Sequence, residues 1–491
     1  RLFFFFISVI LTCTGKNIIL IVTDDLDLIL DGMTPLKSTT KLIRSEGVVF
    51  QNAFAAVPVC CPNRASILTG KYQHNHRALN NSLEGGCNSP KWQQTHGNTT
   101  FAAILNNELN YKTFYAGKYL NKYGHKNAGG VAYVPPGWDK WYGLVGNSKY
   151  YDYSLSINGV EKKYGSKPNN YLTDVIKKFS NDFIKSQNKK EPFLMMLAPP
   201  APHEPFTAAP RHKDKFEGVR AKRTKNFNIS PGKGKHWLVR MGLSPLPLDI
   251  VKSIDEIYRK RWQTLLAVDE LVESVYMQLK SQDLLDNTYI IFTSDNGFHV
   301  GQFSMPYDKR QPYETDIRVP LLIRGPGISP NSEVQSAVSS VDLFATIMDI
   351  AGLQKPSDGT SLLKSAIKDR TVLIEYKGER SEGIPQSGCE TDSDRNLNVS
   401  LCKKDFACKC QDSINNTYTC IRRVADDVNN IFCRFYDNEK FIEFYDLSKD
   451  EFQLDNLSAT LNNNKRHRFR KRLENMSLCQ NQNCIKTGKK N

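Results

Sequence analysis

"KNIILIVTDDLD", residues 16–27, decides the fold class. An unbroken apolar run, Ile18 to Val22, mostly β-branched and bounded by polar residues, reads as a strand buried on both faces, the habit of a parallel sheet. It stops at Asp24 and Asp25. "NTYIIFTSDNG" (287–297) repeats the design and stops at Asp295 and Asn296. Between them lie helical patterns, the longest over 254–282, where Ile257, Trp262, Leu265, Leu266, Val272 and Val275 approximate helical spacing. "PFLMMLAP" (192–199) and "VPLLIRGPG" (319–327) read as further strands. "SSVDLFATIMDIAGL" (339–353) reads as a helix stopped at Gly352. Strands alternating with helices define an α/β architecture.

The chain has 491 residues, 40% of them hydrophobic, which suffices for a large core and a second, smaller domain. Its texture changes after the α/β region. "LQKPSDGTS" is turn-rich, and the remainder of the chain is cysteine-rich with short strand-like runs at 371–378 and 440–448. The expected division is a catalytic domain over 16–353, a linker over 354–370 and a disulfide-rich domain over 371–491. The opening "RLFFFFISVILTCTG" (1–15) has the layout of a secretory signal peptide. No later apolar run reaches the ~18 residues that would span a bilayer. Sequons at Asn80, Asn98, Asn228, Asn398, Asn415, Asn456 and Asn475 agree with passage through the secretory pathway, and the expected location is the lysosome or the exterior.

Of the 12 cysteines, Cys13 falls in the leader, Cys60, Cys61 and Cys87 lie early, and eight crowd the end. In an oxidising compartment such a set reads as disulfides. Zinc binding by Cys408 and Cys410 is the rival, but their spacing is too short for the usual knuckle. The net charge of +15, without a nucleic-acid motif, points to a polyanionic partner such as a sulfated glycan, or to solubility alone. The basic stretch over 462–473 reads first as a solvated helix face.

In open α/β sheets ligands bind beyond the carboxyl ends of strands. The two strand ends would therefore bring Asp24, Asp25, Asp295 and Asn296 into one crevice. Three carboxylates repel one another unless a cation sits between them, and an all-oxygen set suits Ca²⁺ or Mg²⁺. Either pair alone reads better as turn-shaping. Cys60 and Cys61 pose a separate question, because neighbours in sequence make a strained bridge. One buried thiol with the other bridged to Cys87 is a structural answer.

Cys60-Cys61-Pro62-Asn63-Arg64, followed by "ASILTGKY", resembles the signature of the sulfatase family. There the first cysteine is oxidised to Cα-formylglycine by a formylglycine-generating enzyme. "VTDD", "FYAGKYLNKYG", "APPAPHEPFTAAP", "RKRWQTLLAVDELVE", "TSDNGFHVGQFSMPYDKRQPYE" and "VPLLIRGPG" resemble family blocks in the same order, closest to the members acting on 6-sulfated glucosamine. The resemblance implies an alkaline-phosphatase-like fold: a large mixed sheet flanked by helices, with a smaller C-terminal α+β domain. It implies hydrolysis of the 6-O-sulfate esters of N-acetylglucosamine or glucosamine in heparan-type glycosaminoglycans.

Carried over by motif, Cys60 is the formylglycine, whose hydrate attacks sulfur and then expels sulfate. Asp24, Asp25, Asp295, Asn296 and modified Cys60 hold one calcium ion, which polarises the sulfate oxygens. Arg64 holds the hydrate. Lys118, His203 and Lys309 contact sulfate or handle protons, with His203 or Lys309 as the acid for the leaving alcohol. Pro62 is expected to open a helix with Cys60 just before it, and Asn63 to cap it.

Two departures stand out. Asn63 replaces the family's usual serine, and Leu120 stands where many members have histidine. The rival readings are an extracellular heparan 6-O-endosulfatase, a silent glycan-binding relative in which Asn63 has stopped maturation, and a two-metal phosphatase or phosphonate-ester hydrolase. With only 9 histidines, and none beside Asp24, the last is disfavoured.

Overall fold

The structure is a computed structural model that describes residues 15–240, 244–364, 369–379, 400–403, 406–408 and 411–488. The expected signal peptide up to residue 14, and Cys389 and Cys410, lie outside the described residues.

The main sheet has ten strands: β1 (Asn17–Thr23), β2 (Val48–Phe54), β3 (Lys112–Lys118), β4 (Lys140–Leu144), β5 (Tyr153–Ile157), β6 (Val160–Tyr164), β7 (Phe193–Ala198), β8 (Thr288–Ser294), β9 (Leu321–Arg324) and β10 (Ser332–Ser339). Their order across the sheet is β10-β2-β9-β8-β1-β7-β3-β4-β5-β6. At its centre β8, β1, β7 and β3 run parallel. Every residue of β1, β7 and β8 is buried, which is why these strands read as unbroken apolar runs. The 319–327 run was expected to continue the alternation. It instead supplies the short β9, antiparallel to both β2 and β8, and antiparallel hairpins close the far edge. Helices cover both faces, and the two faces hold separate hydrophobic clusters.

The long helix spans Leu248–Ser281 and starts earlier than its apolar spacing suggested. Of the residues singled out on it, Leu265, Val272 and Val275 are buried, while Ile257, Trp262 and Leu266 are only partly so. The helix read over 339–353 forms at Asp342–Ile350, and Gly352 follows at φ +76, a conformation that costs glycine little.

A second sheet of β11 (Arg370–Tyr376), β14 (Tyr418–Ala425), β15 (Val428–Phe435) and β16 (Ile442–Asp446) is antiparallel throughout. A two-stranded ribbon of β12 (Ser400–Lys403) and β13 (Phe406–Cys408) accompanies it. Val372, Leu373, Ile374 and Ile421 of this sheet share a core with Phe54, Ala56, Val57 and Val59. The segment expected as a linker is held down within its described part. Asp358 is buried and accepts from the Tyr72 backbone N–H, Asn75 and the Asn481 backbone N–H. The basic 462–473 stretch lies in a helix, Asn463–Ser477, that buries only Leu473 and Met476. That is the solvated face its composition suggested.

Candidate active site

The four central parallel strands each deliver a polar group at or just beyond their carboxyl ends. β1 leads into Asp24 and Asp25, β8 into Asp295 and Asn296, β3 ends on Lys118, and β7 runs into the turn bearing His203. Backbone bonds lock the ends together: Asp295 N–H donates to Thr23 O (3.1 Å) and Asp24 N–H to Ala201 O (3.0 Å). Asp25 sits at φ +68 and donates its N–H to Asp295 Oδ1 at 3.1 Å.

Facing them is the helix Cys60–Thr69, all ten residues of which are buried. It begins at Cys60 itself, with extended Val59 before it and left-handed Gly70 closing it. Pro62 is thus the third helical residue, not the first. The expectation that Asn63 caps the helix is also corrected. Asn63 lies inside the first turn, where its Oδ1 accepts from the Ala56 N–H (3.0 Å) and from Ser340 Oγ (2.6 Å). Its Nδ2 donates to the Asp295 carbonyl. The side chain therefore ties the incoming loop, the helix and the end of β8 together. Cys61 is bridged to Cys87 and Cys60 is free, so the adjacent pair do different work. Two further bridges, Cys420–Cys433 and Cys479–Cys484, staple the C-terminal region.

Cys60 Sγ lies 3.6 Å from Asp24 Oδ1 and 3.9 Å from Asp25 Oδ1. Burial, against the pull of Lys118 and Lys309, pushes its thiol up to about 12, so a bare thiolate at this position is unavailable at neutral pH. Lys118 Nζ donates to Asp24 (2.8 Å) and Lys309 Nζ to both Asp25 oxygens (2.7 and 2.6 Å). Arg64 reaches Asp295 Oδ2 through Nε (2.7 Å) and the Lys118 carbonyl through Nη1 (2.8 Å), while its Nη2 has no hydrogen-bond partner. Burial alone would raise the Asp24 carboxyl, but Lys118, His203 and Arg64 outweigh it and hold it well below its usual range. Burial wins at Asp295, pushed up to about 7 despite Arg64. Burial likewise lowers His203, whose Nδ1 lies 2.6 Å from the Glu204 carbonyl and whose Nε2 is 3.8 Å from Asp25.

All nine residues singled out from sequence thus converge in one buried crevice. Ligand atoms of Asp24, Asp25, Cys60 and His203 lie within 4.8 Å of one another. Asn296 adds a buried Oδ1 with no partner, its Nδ2 being given to Asp25 Oδ1 at 2.7 Å. An all-oxygen set of three carboxylates and an orphaned amide oxygen fits a hard divalent cation.

Three participants escaped the sequence reading. Ser148 Oγ donates to Asp24 Oδ2, and nothing in "GNSKYY" marks it. Asn81 Oδ1 accepts from the Cys61 N–H at 3.0 Å. Arg261 donates to the Asp25 carbonyl (2.7 Å) and to Asp27 (2.6 Å). Arg261 had a signal: it shares the helix face of Ile254, Tyr258, Leu265 and Val268, all buried, where a charge demands a partner. Leu120, at the position of the missing histidine, buries its side chain in the hydrophobic core and brings no polar side-chain group to the site.

This fold and crevice define a class, and comparison with known proteins names it. The sequence profile of the sulfatase family matches residues 16–353. Human N-acetylglucosamine-6-sulfatase is 47% identical over 482 residues, covering 96% of this chain and 86% of that protein. The goat enzyme of the same name is also 47% identical, over 478 residues, 95% of this chain and 84% of that protein. The chain belongs to the sulfatase family. The Drosophila melanogaster extracellular sulfatase SULF-1 homolog is 41% identical over 388 residues, 76% of this chain but 34% of that protein. Among solved structures, one in complex with its substrate D-glucosamine-2-N,6-O-disulfate superposes with a TM-score of 0.72 at 22% identity. It covers 96% of this chain and 98% of its own. The fold is that of the alkaline-phosphatase-like sulfatases, a large mixed sheet with a smaller antiparallel sheet after it.

Proposed function

We propose that this chain hydrolyses the 6-O-sulfate ester of N-acetylglucosamine or glucosamine residues in heparan-type glycosaminoglycans, with Cys60 converted to formylglycine and one calcium ion. The observation that carries the reading is the free, fully buried Cys60 at the first position of its helix, surrounded by three carboxylates and three cations. A thiol pushed up to about 12 is a poor nucleophile as it stands. The same position suits an aldehyde hydrate, which the carboxylates can orient. Relatives named N-acetylglucosamine-6-sulfatase match nearly end to end, whereas the extracellular sulfatase homolog is matched over a third of its length. That difference favours the former over the endosulfatase reading.

Asp24, Asp25, Asp295 and Asn296 would hold calcium, together with the modified Cys60, and the ion would supply polarisation of the sulfate oxygens. Arg64 Nη2, buried, without a hydrogen bond and 3.6 Å from Asp24 Oδ1, is placed to hold the hydrate. Lys118 and Lys309, which lie against Asp24 and Asp25, would balance the charge of a bound sulfate. His203, lowered by burial against the pull of Asp24 and Asp25, would have to carry a proton to act as the acid for the leaving alcohol. Lys309 carries a proton, held there by Asp25, and would give it up only where that hold is relieved.

The three disulfides among the described residues and the sequons fit maturation in an oxidising compartment, where the formylglycine-generating enzyme would act. The lysosome or the exterior is the destination. No described helix is long and apolar enough to cross a membrane.

The test joins chemistry to composition. Mass analysis of the peptide spanning residue 60 should show the aldehyde, and the purified chain should release sulfate from 6-sulfated N-acetylglucosamine. Unmodified Cys60 with full activity would overturn the formylglycine assignment. Modified Cys60 without activity on the monosaccharide, but with sulfate released from internal positions of heparan, would favour the endosulfatase reading.

A further inference from the structure

Beside the sulfate crevice lies a cavity of about 460 Å³ whose walls include Asn81, Asn121, Lys122, His125, Val145 and Asn147. Three of its lining residues connect it to the catalytic groups. Asn81 holds the Cys61 N–H, Asn121 follows Lys118 by three residues at the exit of β3, and Asn147 precedes Ser148, which holds Asp24. The cavity is built, not incidental. Gly146 N–H donates to the Tyr123 carbonyl at 2.9 Å, joining the two turns that form it. Lys122, Gly124 and Gly146 all take positive φ. A Cβ on Gly124 would meet Val145 Cγ1 at 2.7 Å, so the wall is as close as glycine permits.

Its chemistry is one-sided. No carboxylate lines it among the described residues. Asn121 is buried, and its Oδ1 has no hydrogen-bond partner. His125 spends Nδ1 on the Asn127 N–H, which leaves Nε2, and Lys122 is exposed and unpaired in any described ion pair. Amides, a ring nitrogen and one ammonium group, with nothing acidic, suit a hydroxyl-rich ligand carrying an anion.

We propose that this cavity is a subsite for the sugar joined to the reacting glucosamine, a uronate whose carboxylate pairs with Lys122. The inference rests on the function proposed above and deepens it. It explains why a chain with an enclosed sulfate site keeps a second, polar, basic recess on the same flank. The reacting sugar presents its 6-position to Cys60, and the rest of the disaccharide has to leave the crevice along a wall that can hydrogen-bond it.

The experiment uses the full-length enzyme and four 6-sulfated substrates. These are N-acetylglucosamine, N-sulfated glucosamine, a disaccharide ending in uronate, and that disaccharide with its carboxyl reduced to an alcohol. Lys122→Gln should raise KM for the uronate disaccharide about fivefold more than for the N-acetylated monosaccharide or the carboxyl-reduced disaccharide, as suits a partly solvated charge pair. Asn147→Asp, a change at an exposed position, should bias KM in the same direction by repelling the carboxylate. Equal changes across all four substrates, or none, overturn the subsite. A selective loss on the N-sulfated monosaccharide overturns the uronate assignment, since the anion would then belong to the reacting sugar. If the wild-type enzyme turns over none of the four, the proposed function fails and not the subsite alone.

Discussion

Removing the Cys61–Cys87 bridge, by changing both residues to alanine, tests how the site is held. The bridge closes a separation of 26 residues. In the chain-entropy account a loop of that size is worth about 3.5 kcal/mol, drawn from the unfolded state. Both cysteines are fully buried in the core that also holds Trp92 and Trp138. Tryptophan fluorescence during urea unfolding therefore reports directly on the region affected. The midpoint of the double variant should fall by an amount equivalent to about 3 kcal/mol. Because Cys61 neighbours Cys60, the variant should also loosen the first helical turn and lower kcat for sulfate release, with Cys60 still converted. A variant as stable as the wild type, within about 1 kcal/mol, would refute the view that this bridge anchors the helix.

Asn63→Ala should cost about 3 kcal/mol, since it strips the Asp295 carbonyl and the Val57 N–H of partners in a buried setting. A thermal midpoint unchanged from wild type would contradict the cross-tie described for this residue. Asp295→Ala removes one of three carboxylates and should abolish stoichiometric calcium binding, measured by calorimetry, while the circular dichroism spectrum persists; undiminished binding would remove Asp295 from the ligand set. At His74 burial would lower the imidazole, but hydrogen bonding and charge from Glu375 outweigh it and raise it above 6.5. That stabilisation is complete below pH 6.5 and is lost as pH rises through the folded value, so His74→Gln should flatten the fall in stability over that window. An unchanged pH slope would show that the pair contributes nothing.

The parts of the fold legible in the sequence are those where burial is total. β1 and β8 sit between other strands and under helices, so their residues are apolar regardless of which face they point to, and their acidic stops mark the strand ends. The direction of a strand leaves no such trace: β9 has the same composition whether it runs parallel or antiparallel. Asn63 shows a related ambiguity. The oxygen that would cap a helix can equally accept from a neighbouring loop, and only the position of Ala56 and Ser340 decides. Strand-end logic and motif coincide on Asp24, Asp25, Asp295 and Asn296, whereas Cys60, Arg64, Lys118, His203 and Lys309 were marked by motif alone; the structure brings all nine side chains together. Ser148 and Asn81 were not legible, because each matters through a single contact with a residue far along the chain. The polar face of the C-terminal elements was likewise readable, but not the partner of their apolar face.

That partner is the floor of the crevice. Glu375 N–H donates to the Ala56 carbonyl at 2.9 Å, and β11 packs on Val57 and Val59, the residues leading into Cys60. The stretch that carries the family signature is therefore not a self-sufficient folding unit, since a chain cut after residue 353 would leave this apolar approach to Cys60 bare. For anyone reading genetic variation in this protein, a polar substitution at Val372 or Ile421 would mimic an active-site lesion. It would silence the enzyme from a residue that never meets the sugar, by undermining the ground on which the nucleophile stands.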